Sequence, residues 1–88
     1  MHAIVVEVTV NDIETARRTL EAEVVPRARQ APGFVAGYWL APEGGRGMSV
    51  VVFESEDAAR GMAGQIQSPP GGEVTIESID VREVVAHA

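Results

Sequence analysis

The 88-residue chain has no cysteine, and its aromatics are one Trp, one Tyr and two Phe. Without cysteine there are no disulfides, no thiolate zinc sites and no cysteine nucleophile. The two histidines, His2 and His87, lie near opposite ends of the chain. Neither a histidine-based metal set nor a Ser-His-Asp arrangement is spaced around them. No apolar run approaches the ~18 residues of a membrane span. There is no lysine; the seven basic residues are all Arg, scattered among thirteen acidic ones, for a net charge of −6. Phosphate recognition needs clustered Lys and Arg, so neither nucleic acid nor an anionic membrane is an expected partner. No charged leader or small-residue cleavage site stands before Ile4-Val5-Val6. That start predicts no signal peptide and a cytoplasmic location.

What remains is a globular composition, 45% hydrophobic and 23% charged, with room for one small domain over residues 1–88. Residues 3–10 are rich in β-branched types and read as a strand. Asn11 is placed to cap a helix, with Glu14 in capping-box position. Apolar residues then recur with helical spacing at Ile13, Ala16, Leu20, Val24 and Ala28, opposite Arg17, Arg18, Glu21 and Arg29. Pro26 falls inside that pattern and predicts a kink near Ala22 to Val25. Pro32-Gly33 ends the helix. A second strand runs from Phe34 to Ala41, and a third from Met48 to Glu54. The glycine-rich link between them suits a hairpin. Ser55 caps a short second helix striped by Ala59, Met62, Ala63 and Ile66. Ser68-Pro69-Pro70-Gly71-Gly72 breaks the pattern as a surface loop or a lid. The last strand, 74–85, changes apolar phase between Ile76 and Ile79, which predicts a β-bulge near Glu77-Ser78.

The order βαββαβ, with right-handed crossovers and one hairpin, predicts an α+β, ferredoxin-like four-stranded antiparallel sheet with both helices on one face. The other face should then be polar, but large apolar residues fall on both. Ile4, Val6, Val8 and Val10 oppose Val5, Glu7 and Thr9; Met48, Val50 and Val52 oppose Val51 and Phe53. On the second strand Trp39 and Val35 oppose Phe34, Tyr38 and Leu40. Such a sheet predicts pairing with a second copy of the chain.

The first strand, the helix with Val24-Val25-Pro26, Ala31-Pro32-Gly33-Phe34, and Val52-Phe53-Glu54-Ser55-Glu56-Asp57-Ala58-Ala59 resemble the antibiotic biosynthesis monooxygenase superfamily over nearly the whole chain. The resemblance implies a dimeric α/β barrel in which two ferredoxin-like sheets close face to face around a cavity. It also implies oxidation of a small aromatic or quinone-like compound without metal, flavin or other cofactor. Haem-degrading relatives use an Asn on the first strand, a Trp near the end of the third and an iron-ligating His on the second helix. Those positions here hold Val6, Phe53 and Met62, so haem degradation is not expected.

Several residues carry two readings. Trp39 either stacks on a planar ligand or packs in the core or dimer interface. Tyr38, its strand neighbour, points to the other sheet face and offers a hydroxyl as an acid or donor. Glu7 is a base if its face is the barrel interior and a surface carboxylate otherwise. Arg46 reaches a ligand from the hairpin or stays solvated, while Phe53 and Met62 contact a ligand or fill the core. Glu7 and Tyr38 are thus the catalytic candidates, and Trp39, Arg46, Phe53 and Met62 the binding candidates, with no metal site. The alternative is a non-catalytic ligand-binding or interaction module, or a subunit of a larger assembly.

Overall fold

A computed structural model describes all 88 residues. The first strand, β1 (His2–Val10), is followed by α1 (Ile13–Thr19), a π-helical segment (Leu20–Val24) and α2 (Val25–Gln30). Then come β2 (Phe34–Glu43), β3 (Arg46–Phe53), α3 (Glu56–Ala63) and β4 (Val74–Glu83). The four strands form one antiparallel sheet in the order β2-β3-β1-β4. This is the expected ferredoxin-like arrangement, with β1 in the middle and the helices on one face.

The helix start differs from the sequence reading by one residue. Asp12, not Asn11, is the N-cap; its carboxylate accepts from the Thr15 backbone N–H at 3.2 Å and from the Thr15 hydroxyl at 2.9 Å. Asn11 still belongs to the sheet corner. Its backbone N–H donates to the Glu73 carbonyl at 2.7 Å, and its side-chain amide donates to the Gly72 carbonyl at 3.0 Å. The start of β4 therefore ties down Asn11 and leaves the cap to Asp12.

The kink expected from Pro26 takes the form of a π turn. The Val25 N–H donates to the Leu20 carbonyl, five residues back, and Pro26 sits in the first turn of α2. The widened turn relieves the clash of the proline ring and closes with no N–H from it.

The β2–β3 hairpin is longer than expected because its turn is only Gly44-Gly45, flanked by the pair Glu43 and Arg46. Both glycines have positive φ, 59° and 79°. Such a turn twists with the strands and is open to few residues other than glycine. At the other end of β2 the register skips Val35: Phe34 pairs with Phe53, and Ala36 with Val52. This bulge corrects the sequence reading of β2. It turns Phe34 to the helix side, where its ring meets Phe53 edge-on at 6.1 Å and 82°. In β4, Ile76 faces Val8 and Ser78 faces Glu7, which leaves Glu77 as the extra residue of a bulge at the expected place.

Ser55 caps α3, accepting from the Ala58 N–H at 3.1 Å. The core lies between sheet and helices and is built on Ile4, Val6, Val51, Phe53 and Ala59.

Candidate functional site

Alternation along the strands puts Ile4, Val6, Val8, Ser49, Val51 and Trp39 on the helix face of the sheet. Between that face and the helices is a cavity of about 450 Å³. Its floor includes Val6, Val8, Trp39 and Ser49, and its roof includes Leu20 and Met62. Of its 25 lining residues, 18 are hydrophobic. This size and lining are those of a small-molecule site. A larger hollow of about 730 Å³ between α2 and α3 has only 4 hydrophobic residues among 12 and is a polar surface groove.

The cavity exists because small residues face it. Gly47 and Ser49 of β3 line it beside Trp39 of β2. The Trp39 ring lies over Gly37, two residues back on the same strand. A Cβ on Gly37 would stand 2.6 Å from that ring. The glycine lets the indole lie along the strand, where a planar ligand can stack on it.

The polar lining is sparse: Arg17, Thr19, Ser49 and Gln67. Arg17 is exposed. No Asp, Glu, His or Tyr lines the space. Behind Thr19, however, lies Glu73, only 6% exposed. The Thr19 hydroxyl donates to Glu73 Oε2 at 2.6 Å, and Glu73 Oε1 has no partner. The sequence analysis singled out neither residue. They are far apart in the chain and meet only because the β4 start folds back against the end of α1.

The residues singled out from sequence are not gathered in one place. Trp39 and Met62 line the cavity, as does Val6. Phe53 is fully buried against Phe34, filling core rather than facing the cavity. Arg46 is exposed beside the hairpin turn and outside the lining. Glu7 and Tyr38 both lie on the sheet face away from the helices. Glu7 is exposed and accepts from the Ser78 hydroxyl at 3.0 Å, and Tyr38 is 61% exposed. This cavity lies within one chain, on the helix side of the sheet.

Two carboxylates have lowered pKa values, and both serve helix ends. Asp12 is lowered by its hydrogen bonds from Thr15. Glu56 is lowered by the hydrogen bond and charge of Arg60, whose Nε is 2.8 Å away. No three His, Cys, Asp or Glu side chains converge as a metal site. No helix is long and apolar enough to cross a membrane.

No protein-family model matches the sequence, and no curated protein matches it. Solved structures do match the fold. One is an arginine-to-serine mutant of MhuD with two manganese protoporphyrin IX molecules bound per active site. It has a TM-score of 0.71 and 20% identity, covering 100% of this chain and 98% of that one. Another is the heme-degrader MhuD from Mycobacterium tuberculosis with two hemes bound in its active site. It has a TM-score of 0.56 and 24% identity, covering 97% and 98% of the two chains. The fold is therefore the ferredoxin-like α+β fold of MhuD, in line with what the superfamily resemblance implied.

Proposed function

We propose that this protein binds a flat, largely apolar ring compound between its sheet and its helices. The observation that carries this reading is the apolar cavity of about 450 Å³ with Trp39 in its wall. Burial of the ring's apolar surface supplies the affinity, and stacking on the indole orients it. Arg17 favours a ligand with an acidic group directed outward.

The metalloporphyrins bound by the MhuD structures are a test of fit. Iron held by a histidine does not suit this lining. His2 lies outside it, with Nε2 3.9 Å from Glu56 Oε1, and His87 is exposed beyond β4. Met48 and Met62 supply the only sulfurs among the lining residues. No step through iron is assigned. The catalytic form of the reading is oxidation of an aromatic or quinone-like compound by O₂ without metal or flavin. The alternative is binding alone, which the lack of a lining acid or base favours.

The sheet's outer face is assigned to a second copy of the chain. Tyr38 stands on it at 61% exposure, with no helix to cover it, while Leu40 and Met48, 53% and 38% exposed, also line the cavity. Two such faces, each self-complementary about a two-fold axis, bury these groups together.

The test is calorimetric titration of the purified protein with a hydroxynaphthoquinone and with metal-free protoporphyrin IX, with oxygen uptake recorded alongside. One saturable site per chain is expected for at least one of them, weakened about tenfold or more by Trp39→Ala. Uptake selects the catalytic form and binding without uptake the other. No binding of either compound by folded protein would remove the reading.

A further inference from the structure

The Thr19–Glu73 pair is the one place where a buried carboxyl group stands directly behind the cavity wall. Serine and threonine hydroxyls inside helices commonly donate to a carbonyl one turn back. Thr19, the last residue of α1, donates instead to Glu73 Oε2 at 2.6 Å. Glu73 is pinned there by its own backbone, whose carbonyl accepts from Asn11 and Asp12. The loop before it closes over the carboxylate: a Cβ on Gly71 would stand 2.5 Å from Oε1. The chain thus encloses a carboxylate nine-tenths buried, with one oxygen on Thr19 and the other without a partner. Burying such a group without full hydrogen bonding costs stability, so its retention asks for a role.

A hydroxyl has one proton and two lone pairs. Thr19 spends its proton on Glu73, so it offers the cavity acceptor capacity alone. From this we infer that Thr19, held by Glu73, is an acceptor subsite that selects ligands presenting an O–H or N–H donor. The substrate class is narrowed accordingly. A hydroxylated aromatic, such as a phenol or hydroquinone, satisfies the threonine oxygen. A quinone carbonyl or a methyl ether brings a second acceptor against it and leaves both unpaired. Ser49, also in the lining, has no recorded partner for its hydroxyl and is free to donate or accept, so the selectivity rests on Thr19. Glu73 acts as a positioning residue, because it touches Thr19 and not the cavity.

This inference rests on the cavity reading, and the experiment separates the two. Equilibrium dialysis with the purified protein compares naphthol with its methyl ether, which share the ring and differ in the donor. Wild-type protein is expected to prefer naphthol by about tenfold. Thr19→Val removes the acceptor and is expected to abolish the preference while keeping affinity for the ether. Thr19→Ser is expected to retain it. In Glu73→Gln the amide can donate to Thr19 and release its hydroxyl proton to the cavity, so the preference shrinks although the wall is unchanged in shape. Circular dichroism confirms that each variant is folded. Equal binding of both probes by the wild type overturns the inference and leaves the cavity reading standing. So does a preference that survives in both Thr19→Val and Glu73→Gln. Binding of neither probe overturns both.

Discussion

The two faces of the sheet use the same four strands to opposite ends. On the helix face, Val6, Val51 and Phe53 are buried, yet Gly47 and Ser49 leave space among them. On the outer face, Tyr38 is large and exposed, and polar links join β1 to β4, Ser78 to Glu7 and Thr9 to Glu77. One face therefore has too little side chain for its covering, and the other has too little covering for its side chains. The first condition makes a place for a small molecule. The second makes a place for a protein surface. Alternation along a strand lets neighbouring residues such as Tyr38 and Trp39 serve these two demands independently.

The comparison predicts that substitutions on the two faces have different kinds of effect. The largest is expected from Phe53→Ala. It removes a fully buried ring and its edge-on contact with Phe34, at a cost of about 3–5 kcal/mol in urea unfolding. A loss near that of a surface substitution would mean that the helix face is not the core. Next is Tyr38→Glu on the outer face. It is expected to halve the mass found by light scattering, from two chains to one, while the far-ultraviolet dichroism stays unchanged. An unaltered mass would assign the outer face to water. The smallest effect is expected from Asp12→Asn, which keeps an oxygen at the cap but not its charge. The lowered pKa of Asp12 means that its charged form stabilises the fold above the usual value of 3.8. That contribution is lost as pH falls through the lowered value. Thermal melts of Asp12→Asn should therefore fall less steeply with acid below pH 3.8 than those of the wild type. Equal slopes would show that the cap charge contributes nothing.

Periodicity made the element order legible, since each strand and helix declares itself within its own residues. The Pro26 kink and the Glu77 bulge were legible for the same reason: a proline inside a helical stripe and a slip in strand phase are local marks. The Val35 bulge left no such mark, because Phe34 and Trp39 fit either face until the register against β3 is known. The choice between Asn11 and Asp12 as cap depended on hydrogen bonds that Asn11 donates to the Glu73 and Gly72 carbonyls, far along the chain. The site was the least legible. Residue type and strand position directed attention to Glu7 and Tyr38, whereas the cavity lies on the face that neither reaches. Thr19 and Glu73 carry no motif, and their meeting is a property of the closed fold.

The central place of β1 has a consequence for how the protein is made. Its partners lie on both sides, and one of them is β4, with His2 opposite Glu83. A ribosome delivers β1 first and β4 last, so one edge of the valine-rich strand stays open while the β2–β3 hairpin forms and docks on the other. Closure awaits a contact spanning almost the whole chain, the kind that slows folding and leaves an unpaired edge open to association. The exposure of nascent chains to aggregation should therefore end abruptly, when β4 emerges, rather than decline strand by strand.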